Sequence, residues 1–158
     1  RLSYRGWGEA AVFLAYGPLI CAGTFLVMAR EIAPWVVWLA LPLGVLIAAF
    51  LWINEFPDWR ADAGAGKRTL VVRLGRQRAA DVFLMLVVVA FLLLFVSFAF
   101  GVPLGALGAL LATVPATRAA LTLHAHPEDT QRIVPAQAQT LLAFVLYALG
   151  AALGLLLT

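Results

Sequence analysis

The chain has 158 residues, of which 64% are hydrophobic and 12% are charged, and its formal net charge is +3 at pH 7. A soluble domain carries about 25% charged residues to cover its core, so this composition excludes an ordinary soluble protein. The basic residues lie in loops between apolar segments, which argues against nucleic acid as a partner. The only cysteine, Cys21, excludes an internal disulfide and is interpreted as a small packing residue. The expected surroundings are the lipid bilayer.

Long apolar runs predict five transmembrane helices, at residues 9–29, 33–54, 79–100, 103–123 and 138–157. A helix needs roughly 20 apolar residues to cross a bilayer. Residues 82–117 form an uncharged run of 36, too long for one helix, and the glycine and proline at 101–103 predict the turn that divides it. The runs do not alternate as strands of a membrane barrel do, so we predict an all-α, polytopic helix bundle.

The Lys and Arg residues are distributed unevenly among the connecting segments. The N-terminal segment, the loop after the second helix and the region around the end of the fourth helix carry 2, 6 and 2 of them, against 1 in the remaining loops and tail. Cytoplasmic loops of membrane proteins are enriched in Lys and Arg. This bias predicts that the loop Asn54–Arg78 faces the cytoplasm and that the C-terminus lies outside.

The loop "NEFPDWRADAGAGKRTLVVRLG", residues 54–75, contains three of the eight carboxylates of the chain. Asn54, Asp58 and Asp62 are spaced by four residues, so they share one face if the second helix continues through Pro57 to Asp62. Oxygen ligands suit Mg²⁺, which takes few protein carboxylates and usually takes phosphate oxygens as well. A metal here therefore implies a phosphorylated ligand.

Basic residues follow the two aspartates. Lys67, Arg68 and Arg73 can bind a diphosphate through charge and bidentate hydrogen bonds. The segment is not a Walker loop, because the lysine is followed by Arg68 rather than by Ser or Thr. The alternative interpretation is a solvated loop in which these cations only pair with the two aspartates.

These residues resemble the second aspartate-rich motif of the UbiA superfamily of intramembrane prenyltransferases. The likeness is strongest to the 1,4-dihydroxy-2-naphthoate polyprenyltransferase branch, which acts in menaquinone biosynthesis. The segments "YRGWGEAAVFLAYGPL" (4–19) and "VPAQAQTLLAFVLYALGAALGLLL" (134–157) are also similar to that branch. The resemblance implies a nine-helix bundle in a bacterial inner or cell membrane. Residues 1–158 would be the C-terminal part of this single transmembrane domain, supplying its last five helices.

The resemblance also implies roles for individual residues. Asp58 and Asp62 would hold Mg²⁺ on a polyprenyl diphosphate and act in catalysis, with Asn54 as a supporting ligand. The diphosphate would be bound by further residues implied in the same way: Lys67, Arg68, Arg73 and, more weakly, Arg5. The first motif of the family, NDxxDxxxD, does not occur in the chain, so the chain by itself is expected to be inactive and to be a fragment or a partial gene product.

Three interpretations remain open at this point. The first is transfer of a polyprenyl group to 1,4-dihydroxy-2-naphthoate, the second the same transfer to 4-hydroxybenzoate or another aromatic acceptor, and the third a non-catalytic membrane module or small transporter. The absence of charge in the middle of the apolar runs weakens the transporter interpretation. His124 and His126 are interpreted as solvated loop residues rather than metal ligands.

Overall fold

The computed structural model describes residues 6–157, and these residues form helices and turns without any strand. Five helices are long and apolar enough to cross a membrane, and two short helices lie in the loop between the second and third of them. The prediction of an all-α bundle with five spanning helices is confirmed. In chain order the helices are α1 (Gly8–Ala29), α2 (Pro34–Asn54), α3 (Trp59–Gly64), α4 (Leu70–Leu74), α5 (Arg76–Phe100), α6 (Leu104–Ala125) and α7 (Thr130–Leu156).

The spanning helices pack around α2, which contacts α1, α5 and α7, while α6 lies between α5 and α7. Short connections make successive helices antiparallel. The start of α1, the end of α2, the start of α5, the end of α6 and the start of α7 therefore share one end of the bundle. We call it the charged end, because the loop that holds α3 and α4 lies there. Trp52 ties α2 to α5 at this end, through a 2.9 Å hydrogen bond from its Nε1 to the Ala79 carbonyl oxygen.

Helix α1 is irregular in its middle. Residues Ala15–Leu19 form a π-helical turn that contains Pro18, and the wider turn accommodates a residue that has no N–H to donate. Gly17 lies in this turn, and a Cβ there would be 2.7 Å from the Cα of Gly44 on α2. The two helix backbones therefore touch, and this contact fixes α1 against α2.

The fifth spanning helix begins earlier than predicted, at Thr130 instead of residue 138. Its N-cap is Asp129, whose side chain accepts hydrogen bonds from the backbone N–H groups of Gln131 (3.1 Å) and Arg132 (3.3 Å). Such a cap satisfies N–H groups that have no acceptor within the helix. The polar residues before residue 138 therefore belong to the helix, and the predicted boundary was wrong by eight residues.

Helices α6 and α7 approach each other through glycines. The first nine residues of α6, Leu104–Ala112, are 3₁₀-helical. A Cβ on Gly108 would clash with the backbone of Gly150, a Cβ on Gly150 would clash with the Gly108 carbonyl oxygen, and a Cβ on Gly154 would clash with Gly105. Small residues allow membrane helices to pack this closely. These contacts hold α7 in the register that brings its first turns to the charged end.

We expect Gly150→Ala to destabilise the folded protein, because the added methyl group meets backbone atoms that cannot rotate away. Overpacking of this kind costs about 1–3 kcal/mol. Gly23→Ala is the matched control, because a Cβ there has no neighbour within 4 Å. Thermal unfolding in detergent should show a lower midpoint for Gly150→Ala and a nearly unchanged one for Gly23→Ala. Equal midpoints in both variants would contradict the packing described.

Candidate functional site

Of the three predicted metal ligands, Asp58 and Asp62 lie just before and in the short helix α3, and Asn54 lies at the end of α2. The α-helical hydrogen-bond pattern of α2 stops at Asn54, and the next two amides bond three residues back, Glu55 N to Trp52 O and Phe56 N to Ile53 O. Pro57 lies in this turn. Helix α2 therefore ends at Asn54, and residues 55–58 form turns between it and α3. The shared face of Asn54 with the two aspartates stays a prediction.

Asp58 and Asp62 remain one helical turn apart. The Asp62 N–H donates to the Asp58 carbonyl oxygen at 2.8 Å, which closes the first turn of α3. Asp58 is exposed, whereas Asp62 is only 9% exposed. Asn54 is partly buried at the end of α2. The carboxylates thus share one turn, with Asp58 facing outwards and Asp62 facing the loop that follows.

Asp62 contacts one of the predicted diphosphate ligands. Its Oδ1 lies 2.6 Å from Nζ of Lys67, and the side chains are 12% and 34% exposed. The Lys67 N–H also donates to the Asp62 carbonyl oxygen at 3.0 Å, so backbone and side chain hold the two residues together. The ion pair that the alternative interpretation of the loop expected is therefore present. It places a cation beside the more buried of the two aspartates.

The remaining predicted cations are less enclosed. Arg68 is exposed, and Arg73 is exposed in the last turn of α4. A Cβ built on Gly6 would lie 3.5 Å from Nη1 of Arg73, so that guanidinium lies beside the chain that leads into α1. Arg5 lies outside the described residues.

Glu55 was not among the predicted site residues, although it lies next to them. Its carboxyl is partly buried between the start of α1 and the loop. Its pKa is raised to about 7, mainly by burial and also by the nearby carboxylates of Glu9 and Asp62, against the lowering effect of hydrogen bonding to Thr69 and to the Val71 amide. One oxygen, Oε2, is buried without a hydrogen-bond partner. Sequence spacing could not identify Glu55, because its neighbours come from α1 and from the far side of the loop.

The raised pKa of Glu55 predicts a pH-dependent stability. The folded state binds this proton more tightly than the unfolded state, so the unfolding free energy falls as the pH rises from about 4.5 to about 7. Glu55→Gln should remove this fall. Thermal midpoints in detergent with EDTA, compared between wild type and Glu55→Gln at both ends of this pH range, measure it. Glu31→Gln, an exposed glutamate beyond α1, is the control, and parallel pH profiles for wild type and Glu55→Gln would refute the expectation.

Arg76 has a structural role that its loop position did not indicate. Its Nη2 donates to the Phe56 carbonyl oxygen at 3.2 Å, and its Nη1 donates to the Glu128 carbonyl oxygen at 3.3 Å. The guanidinium also lies 5.5 Å from the centre of the Trp59 ring. One arginine therefore joins the turn before α3, α3 itself and the segment before α7.

The two histidines contact charged neighbours at the charged end. His124 is in the last turn of α6, and its Nδ1 lies 3.1 Å from Oδ1 of Asp81. His126 contacts the guanidinium of Arg132, which also pairs with Asp129 at 3.1 Å. The first pair joins α5 and α6, and the second lies at the start of α7. His124 therefore lies in a helix and not in a loop as predicted, whereas His126 follows the end of that helix.

The residues present fit a partial site for Mg²⁺. Among residues 6–157 no group of three or more His, Cys, Asp or Glu side chains is arranged to enclose a metal ion. Two aspartates on one turn, one of them exposed, supply hard oxygen ligands and leave room for phosphate oxygens and water. The donor set therefore suits a metal that arrives with a phosphorylated ligand, as the sequence predicted, and not a metal held by protein alone.

A second feature of the bundle is an apolar cavity of about 440 Å³ between α1, α2 and α7. Its walls include Cys21, Phe25, Trp35, Leu43 and Tyr147. These positions lie in the half of α1 and α7 that is remote from the charged end. The bundle therefore combines the charged end with an apolar cavity between the halves of its helices that are remote from that end.

Comparison with known proteins gives consistent matches. The model of the UbiA prenyltransferase family matches residues 1–134. The protein named UbiA prenyltransferase domain-containing protein 1 from Dictyostelium discoideum is 30% identical over 94 residues, which cover 60% of this chain and 28% of that protein. The 1,4-dihydroxy-2-naphthoate octaprenyltransferase of Haemophilus influenzae is 39% identical over 72 residues, covering 46% of this chain and 23% of that protein. The enzyme of the same name from Mycobacterium tuberculosis is 39% identical over 94 residues, covering 59% and 32%.

Each matched stretch spans less than a third of the relative's own length. No solved structure matches the chain. The family match nevertheless extends over most of the 158 residues, from before α1 into α7, and includes α3 and α4. With five membrane-spanning helices and this match, the chain is an integral membrane protein that belongs to the UbiA prenyltransferase family.

Proposed function

We propose that the complete protein transfers a polyprenyl group from its diphosphate to an aromatic acceptor, with Mg²⁺ as cofactor. The observation that carries this proposal is the arrangement of Asp58, Asp62 and Lys67 at the charged end of a membrane bundle. Two carboxylates on one turn and a lysine in contact with one of them form a site for a metal diphosphate. Residues 1–158 would form the C-terminal part of one prenyltransferase domain.

In the proposed site, Asp58 and Asp62 would hold Mg²⁺, with Asn54 as a supporting ligand. When bound, Mg²⁺ would neutralise charge on the diphosphate. Lys67 and Arg68 would donate to the diphosphate oxygens, and Arg73 would add positive charge from the end of α4. These fixed donors stabilise the charge that develops on the leaving diphosphate as the allylic C–O bond breaks. Arg5 retains its weaker predicted role at the same site.

The apolar helices supply the rest of the environment that the reaction needs. An allylic cation survives only where water is excluded. The almost wholly apolar walls between α1, α2 and α7 lie further from the charged end and suit the isoprenoid chain. The isoprenoid chain would run among these helices, while the electron-rich aromatic ring attacks the cation near the charged end. The ring would then regain aromaticity by losing a proton, or its carboxyl group as CO₂. The distribution of Lys and Arg supports a cytoplasmic position for this end, in a bacterial inner or cell membrane.

We infer that the acceptor is 1,4-dihydroxy-2-naphthoate, which would place the protein in menaquinone biosynthesis. The support is that the Haemophilus and Mycobacterium relatives, both 39% identical over the matched stretches, are named 1,4-dihydroxy-2-naphthoate octaprenyltransferases. The acceptor contacts are not identified among the described residues, so 4-hydroxybenzoate is the competing acceptor. The third interpretation, a non-catalytic membrane module, predicts no transfer to either ring.

The test uses membranes that contain the complete protein, with Mg²⁺ and a radiolabelled polyprenyl diphosphate. The two aromatic acids are supplied separately, and labelled lipid-soluble product is separated and counted. Product from 1,4-dihydroxy-2-naphthoate alone is the expected result. Product from 4-hydroxybenzoate alone would correct the acceptor, and no product from either would favour the non-catalytic module. Membranes without the protein and reactions with EDTA are the controls.

A further inference from the structure

The backbone at the start of α4 is held from outside the loop. Helix α4 follows directly after Lys67 and Arg68, and the first N–H groups of a helix have no acceptor within it. The Leu70 N–H donates to Oε1 of Glu9 at 3.4 Å, across 61 residues of sequence. The Val72 N–H donates to the hydroxyl of Thr69, the N-cap, at 3.3 Å. A carboxylate from α1 therefore takes part in the cap of a helix in the loop.

Glu9 is suited to this contact by its own position. It lies in the first turn of α1 and is only 7% exposed, although it is a glutamate at the end of a membrane helix. The positive end of a helix dipole favours a carboxylate in the first turn. Burial of a charged side chain is costly unless it is hydrogen-bonded, and the Leu70 amide supplies such a bond. Its burial is therefore explained by the loop it contacts.

Gly6 makes a second contact with the same loop. Its φ is +77°, a conformation that favours glycine, and a Cβ there would lie 3.3 Å from the Arg68 carbonyl oxygen and 3.3 Å from Cδ2 of Leu70. The chain leading into α1 therefore lies directly against the backbone of the basic segment. Gly6 and Glu9 approach this segment within three residues of each other, and we call the pair the clasp.

Glu55 approaches the same turn from the end of α2. Its carboxyl lies close to Thr69 and to the Val71 amide. The turn thus lies between two glutamates, and the N–H groups of Leu70 and Val72 donate to protein side chains. A diphosphate at this place would have to be bound by the side chains of Lys67, Arg68 and Arg73, so the orientation of those side chains depends on where the backbone of the loop is held.

We propose that Gly6 and Glu9 are positioning residues, which hold the Lys67–Arg73 segment in the place where its cations bind the diphosphate. The inference rests on the proposed function, since the cations have this task only if the ligand is a prenyl diphosphate. It assigns a role to the "GWGE" part of the segment before α1, which the proposed chemistry leaves unused. Neither residue touches the substrate in this role.

The kinetic test compares Glu9→Ala and Glu9→Gln in the complete protein. We expect Glu9→Ala to raise KM for the polyprenyl diphosphate about tenfold, as expected for loss of a hydrogen bond to a charged group, with KM for the aromatic acceptor changed less than about twofold. Glu9→Gln keeps an oxygen that accepts from Leu70, so its KM should stay within about threefold of wild type. Glu31→Ala, at the opposite end of α1, is the control. Equal losses for both substrates, or loss of folded protein alone, would overturn the positioning role.

Hydrogen–deuterium exchange tests the clasp without using activity. In Glu9→Ala the peptide that contains Leu70 should exchange faster than in wild type, while peptides from α5 and α6 should not change. Gly6→Ala should have the same effect, because its Cβ meets the Arg68 backbone. Unchanged exchange in both variants would refute the clasp. A third outcome is that both variants exchange faster than wild type, but the wild-type protein transfers no prenyl group. This result would support the clasp and refute the proposed function.

Discussion

Asp62→Asn is expected to reduce prenyl transfer by the complete protein by about a hundred- to a thousandfold, the range observed when one preorganised electrostatic contact to a transition state is removed. Asp62 is the more buried member of the aspartate pair, and it also contacts Lys67 at 2.6 Å. The substitution keeps the size of the side chain and removes its charge. Initial rates with saturating acceptor and a series of Mg²⁺ concentrations measure the effect. The variant should also need more Mg²⁺ for half-maximal rate.

The matched control for this prediction is Asp81→Asn. Asp81 is a half-exposed aspartate at the same end of the bundle, and its partner is His124 at 3.1 Å. Its neutralisation should change the rate less than about threefold, as is typical for an exposed ion pair. A thermal midpoint for Asp62→Asn close to that of wild type is required before the rate loss is assigned to chemistry. Equal rates for the two variants would remove Asp62 from the site.

Lys67→Met is expected to lower kcat/KM for the polyprenyl diphosphate by about a hundredfold, because a charge-assisted contact to the leaving group is lost. The change also removes the cation that lies against the largely buried carboxylate of Asp62, so the thermal midpoint should fall. Lys67→Arg keeps the charge and should retain more of the activity. Steady-state rates at varied diphosphate concentration, together with thermal unfolding in detergent, measure both effects.

Arg60→Met provides the comparison for Lys67→Met. Arg60 is an exposed cation on α3, two residues from each aspartate, and it is not among the predicted diphosphate ligands. Its removal should leave kcat/KM within about threefold of wild type, since exposed charges are strongly screened. A loss as large as that of Lys67→Met would mean that the loop acts through its overall charge, and the specific role of Lys67 would be wrong.

The Asp62–Lys67 pair has a consequence for how the site is arranged before a ligand binds. A carboxylate that is only 12% exposed is costly to leave without a partner, and Lys67 supplies one at 2.6 Å. Both residues have a role in the proposed binding of a metal diphosphate. When the ligand binds, Asp62 would contact Mg²⁺ and Lys67 would contact the diphosphate in place of their contact with each other. Neither charge would then be left unpaired during the reaction.

Most of the fold was predictable because its main determinant is local. An apolar run of about 20 residues in lipid must form a helix, since only helical hydrogen bonds satisfy its backbone. The helix ends were less predictable. The eight-residue error at the start of α7 arose because the cap at Asp129 depends on side-chain hydrogen bonds, which hydropathy does not report. The 3₁₀-helical start of α6 was missed for a similar reason, because it accompanies glycine contacts with α7.

The candidate site was predicted only in part. The spacing of Asp58 and Asp62 placed both aspartates on one turn, and that part of the prediction agrees with the structure because a helical turn is local. The alignment of Asn54 with them stays a prediction, since α2 ends at that residue and turns interrupt the expected continuation to Asp62. The enclosing roles of Glu9, Glu55 and Arg76 could not be predicted, because their contacts join residues up to 61 positions apart.

The amino-acid sequence by itself determined that this protein is a bundle of five membrane helices with its charge gathered in one loop. Composition and spacing are sufficient for this prediction, because both the transfer of an apolar run into lipid and the formation of a helix depend on residues that are neighbours in sequence. Only the tertiary structure decided which charges are buried and which are paired: Lys67 against Asp62, Glu9 against Leu70, and Glu55 with a raised pKa between them. Burial and pairing depend on distances between segments remote in sequence, and these distances exist only once the helices have packed.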